Sequence, residues 1–494
     1  MGIVAKQTIK GSLFSYIGII IGGINVVLLY PTIFSEEQVG LVNVLLAISS
    51  LAAPFASLGI NGVTNYFFSF FKNRDKQHNG FFLFVLMVSL IGFMAFTIIY
   101  FLFKNIILAS KGDPSPLVEE YHFYIVPLTL FSLIFSVMDV YSSVLHDSVL
   151  GTIFQEFLFR VANTALIVAY YFHLLTLGEF LFGFTISMGL VPLAIGIILW
   201  RRVELYWSSP NLSILKEHKS QIIQVGLFYV VSGFGSLMVT YLDRYMINYF
   251  IGLKYTGIYS ITNYFGSVVE VPRRSMGKIA VPVIAAAWKA NDKAALQNFY
   301  TKSSITQAVF SLLIFIGVWV NVDSIFEILP TSYAEGRDVI FWTGLSVVTN
   351  SFFGVGAQIL LNSPRFKSYT FLTLFLGVLV VGTNIIFIPW MGIVGAAIAS
   401  AISKLIFSIL LIFIVYYFFH IHPFDKRLIY AVIAATIAYY LAKFMTIDGH
   451  WIFNVILKST TIVLIYGLLL YLFGVLKEYE EMVIKATKKL WRKQ

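Results

Sequence analysis

The chain has 494 residues, of which 59% are hydrophobic and only 12% are charged, with a formal net charge of +10 at pH 7. Soluble proteins carry about 25% charged residues, so this composition indicates one integral membrane unit with little room for a separate soluble domain. Cysteine is absent, which excludes disulfides, thiolate metal sites and thiol catalysis.

Apolar runs long enough to cross a bilayer recur along the whole chain. A spanning helix needs about 20 predominantly apolar residues, and the first run has no A-x-A-like cleavage site, so we interpret it as a span and not as a signal peptide. The fourteen predicted spans are 11–30, 40–65, 81–103, 121–145, 150–171, 178–200, 221–250, 253–272, 303–321, 338–362, 368–388, 391–418, 428–446 and 452–476.

A weak internal repeat divides these spans. Three positions of the first half recur at offsets of 217 or 218: Gly40, Pro54 and Gly59 match Gly257, Pro272 and Gly277. The offset equals six spans, which returns the chain to the same side of the membrane, as in parallel transporter repeats. We therefore predict an all-α polytopic fold with two parallel six-helix lobes plus two C-terminal helices. The predicted parts are an N-lobe at 1–200, a cytoplasmic linker at 201–220, a C-lobe at 221–418, and two further spans with a basic tail at 419–494.

The positive charges follow the positive-inside rule. With both termini in the cytoplasm, 25 of the 34 Lys and Arg residues fall in inner loops and six in outer loops. This asymmetry predicts cytoplasmic termini. Because topology and attraction to anionic lipid explain the basic inner face, no nucleic-acid partner is expected.

Acidic residues inside spans are candidates for ion coupling. A charge at the middle of a span costs about 2.5 to 3.5 kcal/mol, and such residues face a cavity or a partner. Asp139 lies in span four and Glu270 near the inner end of span eight. Glu156 and Arg160 are spaced i,i+4 in span five, so they share a helix face. A hydrogen bond to a neighbouring helix is the alternative for Asp139, and a structural pair is the alternative for Glu156 and Arg160.

Cationic residues inside or next to spans are candidates for binding an anionic substrate. Besides Arg160, Lys404 lies about halfway along span twelve, which is too deep for its amine to reach the interface easily. Arg273 follows span eight, where a cytoplasmic anchor is the alternative role. Asp243 and Arg244 lie in the outer third of span seven, and they would be interfacial if that span ended at Tyr241.

Two tyrosines beside Arg244 complete the predicted site. Tyr241 and Tyr245 belong to a tyrosine-rich region that suits either a sugar-accepting surface or helix packing. Enzyme signals are weak: the chain has neither H-E-x-x-H nor G-x-x-x-x-G-K-[ST]. No catalytic residue, metal or cofactor is therefore assigned.

Three segments resemble a known family. LDRYMINYFIGLKYTGIYSITNYF at 242–265 and PRRSMGKIAVPVIAAAW at 272–288 resemble polysaccharide and O-antigen flippases, a branch of the multidrug/oligosaccharidyl-lipid/polysaccharide (MOP) exporter superfamily. NIIFIPWMGIVGAAIASAISKLIFSIL at 384–410 is similar to a helix opening of the same family. Asp243 and Arg244 match the family's D-R dipeptide, and 257–259 matches its G-x-Y turn. Arg160 and Lys404 match no motif of the family.

The resemblance implies a flippase of the bacterial cytoplasmic (inner) membrane. Such a protein moves a polyprenyl-pyrophosphate-linked oligosaccharide to the outer leaflet by alternating access, and its cations receive the pyrophosphate. We expect a monomer, and coupling to H⁺ or Na⁺ stays open. Span one lacks the cations of peptidoglycan-precursor flippases and the acid of many drug exporters. The alternatives are an ion-coupled exporter of drugs or cations, a membrane glycan polymerase or acyltransferase, and a scaffold without transport.

Overall fold

The computed structural model describes residues 17–18, 20–111, 115–145, 149–202, 204–445 and 450–475. All regular secondary structure within these ranges is helical, so the predicted all-α fold is confirmed. The first residues of span one and the basic tail lie outside the described residues. The cytoplasmic position of both termini therefore stays a prediction.

Eighteen α-helical segments follow one another along the described chain. They are α1 (Ile20–Ile33), α2 (Glu36–Ala56), α3 (Ile60–Phe71), α4 (Phe81–Ile107), α5 (Pro116–Val144), α6 (Leu150–Tyr171), α7 (Leu177–Arg201), α8 (Leu212–Glu217), α9 (Lys219–Ile251), α10 (Leu253–Ser267), α11 (Val271–Lys289), α12 (Lys293–Val320), α13 (Val322–Ile328), α14 (Arg337–Ser351), α15 (Gly356–Leu361), α16 (Phe366–Phe419), α17 (Lys426–Lys443) and α18 (Trp451–Leu472).

Each of the fourteen predicted spans falls on helical residues of the described chain, although the boundaries differ. In the described ranges, nine helices are long and apolar enough to cross a membrane. One of them, α16, has 54 residues and covers spans eleven and twelve, with a kink at Gly392, where φ is +61°. Span two comprises α2 and α3, which are separated by Gly59 in the left-handed conformation.

Contacts divide the chain into two compact units. Unit 1 contains residues 1–261 and 380–393, and unit 2 contains residues 262–379 and 394–494. These contact units differ from the lobes that the repeat predicts, and the lobe boundaries stay a prediction.

The last two helices pack within unit 2 through small residues. Ala431, Ala434 and Ala438 of α17 are fully buried in a cluster with side chains of α12 and α18. The Tyr466 hydroxyl of α18 donates a hydrogen bond to the carbonyl oxygen of Val309 in α12, at 3.1 Å. Small side chains let membrane helices approach closely, so this alanine stripe attaches the C-terminal pair to α12.

Two repeated glycines of unit 1 make a reciprocal contact. A Cβ atom on Gly40 of α2 would overlap the carbonyl oxygen of Leu253, and a Cβ on Gly257 of α10 would overlap that of Glu36. Leu253 and Glu36 are themselves 217 positions apart, the same offset as the two glycines. Such reciprocity is the mark of a twofold contact and supports the predicted parallel repeat.

Candidate functional site

Asp243 of α9 lies at the centre of a buried polar network. Its carboxylate accepts hydrogen bonds from the hydroxyl of Tyr259 in α10 and from the side-chain amide of Asn384 in α16, each at 2.8 Å. Asp243 is only 7% exposed, and Asn384 is fully buried. Hydrogen bonds are what makes a buried carboxylate tolerable, so Asp243 joins α9, α10 and residues 380–393 within unit 1.

Arg244 is the next residue, but its side chain has different contacts. Its Nη1 donates to the carbonyl oxygen of Thr240 at 2.7 Å, and the guanidinium lies 5.9 Å from the ring centre of Tyr241. Its Nε atom is buried without a hydrogen-bond partner. No carboxylate of the described residues lies within ion-pair distance, so the positive charge of Arg244 has no ion-pair partner in that part of the chain.

The helix around Arg244 continues beyond the predicted break. α9 runs unbroken to Ile251, about two turns past Arg244. The helix therefore does not end at Tyr241, and the interfacial position of Asp243 and Arg244 stays an alternative prediction. Tyr245 has a packing contact, because its hydroxyl donates to the carbonyl oxygen of Ile107 at 3.1 Å.

Arg160 and Glu156 of α6 form the ion pair that their spacing predicts. Both side chains are partly exposed, at 27% and 32%. Arg160 also donates to the carbonyl oxygen of Gly18. Glu156 lies in a π-helical turn, Phe154–Leu158, a feature that is frequent at functional sites. The charge of Arg160 is thus already matched inside unit 1.

The first span packs against this ion pair, a contact that the sequence did not predict. A Cβ on Gly22 would overlap the Arg160 guanidinium, and a Cβ on Gly18 would overlap the backbone of Glu156. One turn further on, Asn25 accepts a hydrogen bond from Thr164 at 2.8 Å. The spacing Gly18-x-x-x-Gly22 is the signal for such a close helix crossing in a membrane.

The other predicted cations belong to unit 2 and surround one acid. The Glu270 carboxylate pairs with Arg273 and with Arg274, whose Nη2 lies 2.9 Å away. Lys404 acts electrostatically on the same carboxylate but has no carboxylate of the described residues within ion-pair distance. One negative charge faces three positive charges, so this cluster has a net charge of +2.

Asp139 belongs to unit 1, where it lies against the start of α6. Its carboxylate lies directly against Gly151, where a Cβ atom would overlap it. Among the described residues, no cation is within ion-pair distance of it. The structure therefore brings Arg273, Glu270 and Lys404 together and pairs Arg160 with Glu156. Arg244 and Asp139 belong to neither ion cluster.

Comparison with known proteins agrees with this architecture. The model of the family described as polysaccharide biosynthesis protein matches residues 4–288, which is more than half of the chain. No curated protein sequence matches significantly. The solved structure of a lipid II flippase, MurJ, in an inward closed conformation is similar over 96% of this chain and 100% of its own length, with 13% identity and a TM-score of 0.78.

A second solved structure has a related description. It is the inward-facing conformation of a multidrug resistance MATE family transporter of the MOP superfamily, with 18% identity and a TM-score of 0.63 over 80% of this chain and 92% of its own length. At such identities, the likeness to these two structures shows a similar fold alone. The family model, in contrast, matches the amino-acid sequence. The chain therefore belongs to the polysaccharide biosynthesis protein family, as a multi-pass membrane protein with the fold of MOP superfamily transporters.

Proposed function

We propose that the chain is a transporter, not an enzyme, and that it moves a polyprenyl-pyrophosphate-linked oligosaccharide from the inner to the outer leaflet by alternating access. The proposed location is the bacterial cytoplasmic membrane, with both termini in the cytoplasm. Family membership supports a role in polysaccharide biosynthesis. The observation that carries the proposal is the guanidinium of Arg244 within an apolar helix, which has no ion-pair partner among the described residues.

The physical argument starts from the substrate's charge. A pyrophosphate does not cross hydrocarbon unaided, because burial of an unpaired charge is prohibitive. A guanidinium binds phosphate oxygens bidentately and remains charged in apolar surroundings. Arg244 has no ion-pair partner among the described residues to release before binding, so it is best suited to receive the phosphates.

The other residues of the predicted site have different roles in this proposal: some contribute positive charge or a sugar-stacking ring, and others hold the helices in place. Lys404 and Arg273 add positive charge in unit 2, where Glu270 compensates only part of it. Arg160 serves mainly to hold α6 against α1, because Glu156 and Gly18 already bind it. Tyr241 is available to stack on sugars, whereas Asp243 and Tyr245 position α9.

Complementation tests the proposal. Expression in a strain that lacks its own oligosaccharide flippase is expected to restore surface glycan. Arg244→Ala is expected to lower it roughly 10- to 100-fold, because a lost hydrogen bond to a charged group costs about 1.5 to 3 kcal/mol. Arg244→Lys is expected to keep part of the activity, since the charge remains without the guanidinium fork.

The matched control is Arg337→Ala. Arg337 is an arginine of unit 2, half-exposed and paired with Asp323 at 2.7 Å. This variant is expected to retain full complementation at equal protein level. Wild-type activity in Arg244→Ala would contradict the assigned role of Arg244.

A cation-coupled drug exporter is the second candidate function. The observation that favours it is the Asp139 carboxylate, which has no cation of the described residues within ion-pair distance and would suit H⁺ or Na⁺. Resistance to cationic drugs without restored surface glycan would establish this alternative. Turnover of a labelled glycan lipid without its translocation would instead indicate a polymerase or acyltransferase.

A further inference from the structure

An apolar groove in unit 1 has no role in the proposed function. It lies between α3 and α4 on one side and α8 and α9 on the other, with a volume of about 460 Å³. All of its lining residues are apolar except Lys216 and Lys219. The groove therefore combines a long apolar wall with two positive charges, at the end of α8 and the start of α9.

Two sets of backbone contacts fix the walls of the groove. A Cβ on Gly59 would overlap the carbonyl oxygen of Gly226, so α9 meets the start of α3 at van der Waals distance. Before α8, the amide of Asn211 donates to the carbonyl oxygen of Asn79 at 2.9 Å. The groove is therefore preformed and does not depend on one flexible side chain.

The charges at the groove are uncompensated. Lys216 and Lys219 are both exposed, and no carboxylate of the described residues lies within ion-pair distance of either amine. Apolar wall residues are also open to the surroundings: Leu212 is 65% exposed, Ile223 51% and Leu227 63%. A ligand that suits this surface has an acyl chain joined to an anionic headgroup.

We propose that the groove binds an anionic phospholipid of the cytoplasmic leaflet, with one acyl chain along the apolar wall and the phosphate between Lys216 and Lys219. Basic pockets between membrane helices on the cytoplasmic side are suited to such headgroups. Lysine binds a single phosphate as a point charge, whereas a diphosphate favours the arginine fork. The chemistry therefore favours a phospholipid over the polyprenyl-linked substrate, and the site is separate from Arg244.

Native mass spectrometry of the purified full-length chain tests this site. Wild-type protein mixed with equal amounts of phosphatidylglycerol and phosphatidylcholine is expected to retain one phosphatidylglycerol. Each Lys near an anionic surface contributes about 1 kcal/mol, so K216Q/K219Q is expected to weaken that binding roughly 10- to 30-fold. The matched control, K289Q/K293Q, removes two exposed lysines of unit 2 and is expected to bind as the wild type does.

A second variant tests the acyl-chain wall without changing charge. Ile223→Trp fills part of the groove and is expected to lower lipid retention, while Ile279→Trp, at a similarly exposed position of unit 2, is expected to leave it unchanged. Unchanged retention in K216Q/K219Q, or equal loss in both lysine pairs, would overturn the proposal. So would a loss of polyprenyl phosphate binding, and not of phosphatidylglycerol binding, in K216Q/K219Q, because the groove would then hold the polyprenyl lipid.

Discussion

The side chains of the adjacent residues Asp243 and Arg244 have separate contacts because consecutive helix positions do not face each other. Asp243 points into unit 1, where Tyr259 and Asn384 satisfy its oxygens. The Arg244 side chain contacts Thr240 and Tyr241 of its own helix, and its backbone carbonyl oxygen accepts a hydrogen bond from the Thr256 hydroxyl of α10 at 3.5 Å. The dipeptide thus combines a structural anchor with a guanidinium that has no ion-pair partner among the described residues.

This interpretation predicts the effect of removing one hydroxyl. Tyr259→Phe removes one hydrogen bond to the buried Asp243 carboxylate, and a hydrogen bond to a charged group contributes about 1.5 to 3 kcal/mol. Thermal unfolding in detergent is expected to show a lower melting temperature than wild type. Tyr255→Phe removes a hydroxyl from a half-buried tyrosine of the same helix and is expected to be neutral. Equal melting temperatures for the two variants would contradict the anchoring role.

The sequence identified some of these residues and not others, for a physical reason. Asp243 and Arg244 stand out because charges are rare in apolar runs. Asn384 lies 141 positions from Asp243, and an amide in an apolar helix carries no signal of its partner. The pair of Glu156 and Arg160 was predictable because both residues lie on one helix, whereas its contact with α1 depends on tertiary packing.

At the level of elements, glycine positions determine where the helices cross. The crossing of α2 and α10 at Gly40 and Gly257 has no space for a β-carbon on either side. The helices themselves were predictable from apolar length, but their ends were less so. α11 extends to Lys289, well past the predicted end of span eight at residue 272. The helix continues because Pro272 is tolerated in a first helical turn. The prediction ended too early because the following residues are not a purely apolar run.

Replacement of a glycine at a helix crossing is expected to lower the stability of the fold much more than replacement of a glycine with free space around it. Gly257→Ala places a methyl group into the backbone of α2, so folded protein yield and melting temperature are expected to fall. Gly382→Ala is the control, because no described atom outside its own stretch of helix backbone lies within 4 Å of the corresponding position, and alanine is about 0.5 to 1 kcal/mol better than glycine within a helix. Equal stability of the two variants would contradict the close crossing.

At the level of the whole molecule, fold and sequence identity diverge. A TM-score of 0.78 accompanies only 13% identity to the lipid II flippase structure. Apolar length and small residues at helix crossings are generic requirements of a membrane fold, and many sequences meet them. A few charges within the spans are not among these requirements, so a shared fold does not determine the substrate.

The uneven distribution of Lys and Arg predicts the orientation of the molecule. Because the chain has no cysteine, single-cysteine variants need no prior removal of native thiols. Lys254→Cys is expected to react with a membrane-impermeant maleimide in intact spheroplasts. Lys289→Cys is expected to react only after the membrane is opened. Both positions are exposed, so the opposite labelling pattern would show that the predicted orientation is inverted.

The mutual contact of Gly40 and Gly257 also bears on ancestry. A self-complementary contact between two halves of one chain is the contact that two separate copies of a half would form as a homodimer. Six crossings leave the end of one copy on the side where the next begins. Gene duplication followed by fusion would therefore preserve an existing dimer interface and add only a short connection.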